Sequence, residues 1–408
     1  MSTKRRVVVT GIGVVSALGT GFATHAEGLQ EGRVGIAPIT RFDPERLMVK
    51  IGAEAKQFEG ADHFTKSELS LLDRISQMAL IAAREAIEQS GITFDEALGL
   101  RTATILGSAM GGLHTQDENY FAVYHEMKNR VHPFIVPRLM GNAPVSQISM
   151  AHGLMGPAYV VSTACSSSNH AIGQAFHLVR SGAMDAAVTG GTESVLCFGG
   201  MKAWEGLRVM SKEACRPFSK SRNGMVLGEG SAILVLEELE HAKLRGADIL
   251  GEISGFGMTA DAGDIVQPSL EGASRAIEIA LVDGGIDPSE IGYINAHGTA
   301  TAMNDRVEAA AIRKVLGDHA NAIMVSSTKS MHGHAIGAAG SLEASATLMA
   351  LREGVVPPTM GFEEEDPDIG LDVVPNAARD VQIDTALSNS FAFGGLNAVL
   401  AMRRWNGR

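Results

Sequence analysis

Short, apolar, β-branched runs alternate with helical patterns along the whole 408-residue chain. The runs are Val7–Thr10, Thr102–Gly107, Tyr159–Ser162, Ala186–Thr189 and Ala232–Glu237. Past Gly246 they resume at Ile249–Gly257, Tyr293–Ala296, Met324–Ser327 and Thr385–Ser390. Helical patterns lie between them, at Asp73–Gln89, Asn169–Arg180, Gly272–Asp283, Asp305–Val315 and Ala338–Arg352. Apolar strands separated by helices are what buried, helix-covered sheets require. The alternation predicts an α/β layered fold.

The two halves look related. Gly11-Ile-Gly13 is echoed by Gly255-Phe-Gly257. The stretch from Thr163 to Gly173 aligns without gaps on Ser327 to Gly337, an offset of 334 − 170 = 164 residues, sharing Ser166/Ser330 and the tetrad His-Ala-Ile-Gly. These matches predict a duplicated unit, residues 1–246 and 247–408, with Cys165 and Lys329 at equivalent turns converging on one central site.

Composition excludes some functions. A net charge of −12 leaves no general basic surface for nucleic acid, and 5% aromatics is too few for a base-stacking platform. Three widely spaced cysteines without CxxC disfavour disulfide scaffolding and cysteine zinc sites, and point to a reducing cytoplasm. Lys4-Arg5-Arg6 before Val7-Val8-Val9 superficially resembles a signal peptide, but Gly11, Gly13 and Ser16 interrupt the apolar run. No stretch has the length of apolar residues that a membrane span needs.

The chemistry centres on Cys165. An apolar run ends in Ser162-Thr-Ala-Cys165-Ser-Ser-Ser, and a helical pattern follows directly. Strand, tight turn, helix puts the thiol at a helix N-terminus, where free N–H groups favour thiolate. A thiolate so placed is a nucleophile suited to acyl transfer. Cys197 and Cys215 have no such setting and read as small core hydrophobes.

Two further strand ends carry polar turns, Asn295-Ala-His297-Gly-Thr299-Ala-Thr301 and Ser326-Ser-Thr-Lys329-Ser-Met-His332-Gly-His334. A lone histidine has many roles, but two of them with a lysine and a cysteine at comparable turns point to one site. His332 and His334 at i, i+2 splay apart and lack a third ligand, so no metal site is expected. Asn389-Ser-Phe-Ala-Phe393-Gly-Gly runs a strand into a turn whose N–H could complete an oxyanion hole.

These motifs, with Val9-Thr-Gly-Ile-Gly13, Gly190-Gly-Thr-Glu193, Arg216-Pro-Phe and Gly224-Met-Val-Leu-Gly-Glu-Gly230, resemble the elongating β-ketoacyl-acyl-carrier-protein synthases essentially throughout the chain. The resemblance implies a thiolase fold, two duplicated halves in a five-layer αβαβα arrangement, a homodimer, an acidic acyl carrier protein as transient partner, and no cofactor. It implies that Cys165 accepts an acyl chain as a thioester. His297 and His334 match the catalytic histidines that stabilise the enolate of malonyl-carrier protein after decarboxylation. Lys329 matches the family lysine, with Glu308 as its expected partner. The amides of Cys165 and Phe393 match the oxyanion hole, and Phe393 also the gate to the acyl pocket. Thr299 and Thr301 match the hydroxyls that bind phosphopantetheine, and Met110 a residue lining the acyl-tail pocket. Lys66, Lys128, Arg130, Arg208 and Lys212 are candidate contacts for the carrier protein.

Some positions depart from that pattern. Ala392 stands where Gly is common, Leu396 and His332 where Thr is common, and Ala300-Thr-Ala302-Met replaces Ser-Thr-Pro-Val/Ala. Ser166 to His170, Cys197 to Gly206 and Met331-His332-Gly-His more closely resemble nodulation-type synthases, which make unusual acyl chains. A thiolase and a non-catalytic chain-length factor are the rivals. The first needs a second catalytic cysteine, and the second lacks the active one.

Overall fold

The computed structural model describes residues 5–407, so Lys4 of the basic trio lies outside the described residues. Ten strands form its framework. The first half supplies β1 (Val7–Ser16), β2 (Thr102–Gly107), β3 (Ala158–Val161), β4 (Ala186–Ser194) and β5 (Glu229–Glu238). The second supplies β6 (Gly251–Ala260), β7 (Tyr293–Asn295), β8 (Met324–Ser326), β9 (Thr385–Ala392) and β10 (Leu396–Arg403).

The hydrogen-bonded order is β8-β7-β9-β10-β6-β1-β5-β4-β2-β3. Each half therefore has the order third, second, fourth, fifth, first. The halves join where β1 and β6 pair antiparallel, with Val7 opposite Ile253. Pairing sense repeats too. β2 runs parallel to β3 and β4, as β7 does to β8 and β9, and the remaining neighbours are antiparallel.

Helices complete the layers. α1 (Arg74–Ser90) covers the outer face of the first half, and α3 (Leu270–Gly284) with α4 (Ala302–Leu316) covers that of the second. α2 (Ser167–Arg180) and α6 (Ala339–Glu353) touch each other and strands of both halves. They form the central layer of a five-layer αβαβα thiolase fold. α6 has no exposed residue from Ala339 to Leu351, as a helix enclosed on all sides must be.

The Gly-x-Gly echo has a packing cause. A Cβ on Gly11 or Gly13 would lie 1.9 Å from the carbonyl oxygens of Ala86 and Ala82 on α1. One on Gly255 or Gly257 would lie 2.4 and 2.1 Å from those of Ala280 and Ala276 on α3. In both halves the outer helix rests its backbone on a side-chain-free stretch of strand.

The ungapped offset of 164 does not survive. Ala164 (φ +50) and Ile336 (φ +42) each open a 3₁₀ turn, Ala164–Ser166 and Ile336–Ala338, that leads directly into α2 or α6. That offset is 336 − 164 = 172. The counterpart of Cys165 is therefore Gly337, not Lys329. The eight additional residues accommodate the short helix α5 (Lys329–His332). The shared tetrad lies within α2 in one half and runs into the 3₁₀ turn in the other, so its match is fortuitous. Past the Gly394-Gly395 turn, Leu396–Arg403 returns as β10 against β9. The apolar run Ala398–Met402 carried that signal.

Gly257→Ala places a methyl group against α3 backbone, which cannot withdraw like a flexible side chain. It should destabilise the fold by about 1–3 kcal/mol. Denaturant unfolding measures this, and an unchanged midpoint would contradict the close approach.

Candidate active site

Cys165 follows β3 at a sharp corner. Ala164 at φ +50 is a non-glycine residue in the left-handed region, a conformation costing about 1–3 kcal/mol that needs support from its surroundings. The support comes from the buried run Ser166–Asn169. Ser166 Oγ lies 2.9 Å from the Ser390 carbonyl and 2.7 Å from that of Leu396. Ser168 Oγ donates to the Gly337 carbonyl, and Asn169 Nδ2 to that of Ser388 at 3.1 Å. The start of α2 is thus tied to the β9–β10 hairpin that carries Phe393. Gly107 and Gly191 leave room for it, since a Cβ on either would strike Ser168.

Three of the singled-out side chains meet. His334 Nε2 lies 3.1 Å from Cys165 Sγ. The His297 ring stands nearly perpendicular to that of His334, centroids 5.5 Å apart. Cys165 and both histidines offer atoms within 4.8 Å of one another. Such a donor set is compatible with a soft metal, but the Lys329 ammonium, 3.4 Å from His297 Nδ1, opposes a cation there. His332 faces elsewhere, with Nδ1 on the Gly333 carbonyl and Nε2 on Thr328.

Lys329 has a different partner from the one expected. Its Nζ pairs with Glu343 on α6 and donates to the His297 carbonyl at 2.6 Å. Glu308 instead accepts the amides of His297 and Gly298, both at 2.8 Å, and Asn389 Nδ2 at 3.2 Å. Its carboxylate fixes the turn that presents His297. The sequence signal for Glu343 is an acid amid the small and apolar residues Ala339–Leu351.

Electrostatics corrects a second expectation. Burial pushes the Cys165 thiol up to about 12, against the opposing pull of Lys329 and of the amides of Cys165 and Phe393. A helix N-terminus contributes at most about 2 kcal/mol. Enclosing a bare anion costs several, so the substrate-free sulfur carries its proton. Burial, then the Lys329 charge, holds His297 and His334 well below the usual imidazole range. Both are neutral at pH 7. Burial also raises Glu343 to about 7, with Lys329 opposing. Lys329 can only donate, so His297 Nδ1 accepts and its proton sits on Nε2.

A cavity of about 360 Å³ opens onto the sulfur, lined by Cys165, His297, His334, Thr299, Thr301 and Phe393 among others. Thr299 Oγ1 and Thr301 Oγ1 lie 3.0 Å apart. The Phe393 ring stacks on Trp204, centroids 6.3 Å apart, a contact no sequence spacing indicated. Met110 is not among the lining residues. Its side chain is 42% exposed, and its amide is held 3.2 Å from Glu193 Oε2. Lys66, Lys128, Arg130, Arg208 and Lys212 are all exposed, and of them Arg208 lines the cavity. Cys197 and Cys215 are buried and do not line it.

A thiolase fold with a buried Cys–His–His set at the floor of a cleft defines the class of carbon–carbon condensing enzymes. The family profile "Beta-ketoacyl synthase, N-terminal domain" matches residues 4–242, and "Beta-ketoacyl synthase, C-terminal domain" matches 250–363. The chain belongs to the β-ketoacyl synthase family. It is 45% identical over 400 residues to nodulation protein E of a Rhizobium species, covering 98% of this chain and 99% of that one. It is 40% identical over 412 residues to the 3-oxoacyl-[acyl-carrier-protein] synthase 2 of Staphylococcus aureus, covering 99% of this chain and all of that one. Among solved structures, the ishigamide ketosynthase/chain length factor superposes with TM-score 0.94 at 37% identity over 99% of this chain and 100% of that one. A type II polyketide ketosynthase in complex with its acyl-carrier protein superposes with TM-score 0.90 at 30% identity, with the same coverage.

Two outcomes test this geometry. The rate of Cys165 alkylation by iodoacetamide, followed by mass spectrometry, should keep rising well past pH 9, because thiolate accumulates only toward the raised pKa. A plateau near pH 8.5 would contradict a buried thiol. Lys329→Met, which strands Glu343, should cost about 3–5 kcal/mol of stability. Adding Glu343→Leu should restore most of that loss.

Proposed function

We propose that the protein is an elongating β-ketoacyl-acyl-carrier-protein synthase that joins an acyl group on Cys165 to malonyl-carrier protein by decarboxylative condensation. The observation that carries this reading is the Cys165 sulfur 3.1 Å from an imidazole, at the floor of an open cleft also lined by a second imidazole.

In the first half-reaction, Sγ attacks the carbonyl carbon of an acyl thioester and its proton passes to His334 Nε2. Coupled transfer fits a thiol that does not ionise alone. The tetrahedral oxygen is held by the amides of Cys165 and Phe393, both of which already face the sulfur. Collapse expels the pantetheine thiolate, which takes the proton back from His334. In the second, malonyl-carrier protein enters past Thr299 and Thr301, whose hydroxyls hydrogen-bond the pantetheine arm. The bond to the carboxylate carbon breaks, carbon dioxide leaves, and its electron pair forms an enolate. Nε2–H of His297 donates to the enolate oxygen. The acylated sulfur offers no proton, so His334 takes the Nε2–H tautomer and donates as well. The enolate carbon then attacks the Cys165 thioester, whose collapse releases the β-ketoacyl product and the Cys165 thiolate, which takes up one proton from solvent to restore the thiol. Lys329, Glu343 and Glu308 hold His297 in place. Phe393 moves off Trp204 to admit the acyl chain. No step draws on a cofactor or metal.

We assign the carrier-protein contact to the exposed basic side chains, with Arg208 at the cavity mouth. Tyr120, Phe121, Tyr124, Met127, Phe134 and Val136, in the segment that follows Met110, are exposed apolar side chains. We read them as the face of a homodimer whose partner would cover Met110. Residues 1–246 and 247–408 are taken as the two halves. No helix among the described residues is long and apolar enough to cross a membrane, and we place the protein in the cytoplasm. A thiolase would need a second sulfur in the cleft, and a chain-length factor has no use for Cys165.

Turnover of a panel of acyl-carrier-protein thioesters with malonyl-carrier protein, products read by mass, tests the reading and gives the chain preference. Cys165→Ala should yield no condensation product. His297→Ala should leave acylation of Cys165 within about tenfold of wild type while slowing decarboxylation by 10²-fold or more, about the loss expected for one oxyanion donor. Equal loss of both half-reactions contradicts its role.

A further inference from the structure

His332 stands two residues before His334, fully buried, at a position where the family pattern commonly has Thr. Its Nδ1 lies 2.9 Å from the Gly333 carbonyl oxygen, and its Nε2 lies 2.9 Å from Thr328 Oγ1. A carbonyl only accepts, so Nδ1 bears the proton and Nε2 accepts from the hydroxyl. The two partners fix one tautomer.

The Gly333 carbonyl and the His334 N–H belong to one peptide plane. His332 holds its carbonyl end, and the Val226 carbonyl accepts the His334 N–H at 2.7 Å. Beyond the plane, Gly228 N–H donates to the His334 carbonyl at 2.9 Å. Gly333 sits at φ +69, ψ −178, a region that only glycine enters without strain. A Cβ there would stand 2.7 Å from Ala53 Cβ. With the carbonyl end released, the plane next to a permissive glycine can rotate, and the Cα–Cβ direction of His334 rotates with it. A misplacement of about 1 Å at a reacting group can cost about 10²-fold in rate.

We infer that His332 is a positioning residue for the condensation: its Nδ1–H clamps the Gly333–His334 peptide plane and so aims the His334 imidazole at the Cys165 sulfur. This rests on the reading of His334 given above. The competing account is space-filling beside His25, whose ring centroid lies 6.0 Å away.

Two amide substitutions separate the accounts. Asn carries its amide nitrogen where Nδ1 stands, and Gln carries it where Nε2 stands. H332N keeps the clamp on the Gly333 carbonyl, whereas H332Q keeps only the contact to Thr328. Full-length protein is assayed for condensation kcat, acyl-donor KM and thermal midpoint, with H334A in parallel. The expected result is H332N within about threefold of wild-type kcat and H332Q lowered at least about tenfold, with KM nearly unchanged. T328V, which removes only the second contact, should remain close to wild type. Equal kcat in H332N and H332Q, or equal impairment including failure to fold, overturns the inference. Wild-type turnover by H334A overturns the reading of the site itself. An inactive H334A beside a fully active H332Q overturns the inference alone.

Discussion

A buried ammonium organises this protein's interior. Lys329 has no exposed surface, and its charge is met by Glu343 and by the His297 carbonyl. Such a pair stabilises a fold poorly compared with well-packed apolar residues, because both ions lose their hydration. Its contribution here is positional and electrostatic. It ties α5 to the enclosed helix α6, holds the turn that carries His297, and adds a positive charge that works with burial to keep both imidazoles neutral. A neutral imidazole can accept the Cys165 proton, and its N–H can donate to a developing enolate without delivering a proton that would quench it.

The duplicated fold explains why the site lies where it does. The central helices α2 and α6 start from matching left-handed corners, Ala164 and Ile336. One corner presents the thiol. The other follows the segment that delivers Lys329 and His334. Hydroxyl and amide bonds from Ser166, Ser168 and Asn169 reach Ser390, Leu396, Gly337 and Ser388, across the boundary between halves. Neither half alone contains a working set: the nucleophile comes from one and the imidazoles from the other.

Much of this was legible in the residues. The strand–helix alternation carried the layered fold, and the glycine echo carried the duplication, since only glycine allows a helix backbone to rest on a strand. Cys165, His297 and His334 were legible because each lies in a polar segment that follows an apolar strand. Four things were not. Glu343 rather than Glu308 meets Lys329, because pairing across 14 residues depends on how α5 turns toward α6. The ionisation of Cys165 was misread because position at a helix N-terminus is visible in sequence while depth of burial is not. The register between halves was misplaced because a four-residue identity outweighed an eight-residue insertion. Met110 lies outside the cavity of the single chain, since its surroundings depend on what covers an exposed face.

The claim on which the rest depends is that two neutral imidazoles sit beside a buried ammonium. Nitrogen-15 NMR of histidine-labelled, substrate-free protein reads it directly, with His297→Gln and His334→Gln assigning the two signals. Both should keep the chemical shifts of neutral imidazole from pH 7.5 down to about pH 5.5, a full unit below the ordinary histidine value of about 6.5. Protonation of either ring with a midpoint near 6.5 would contradict the account.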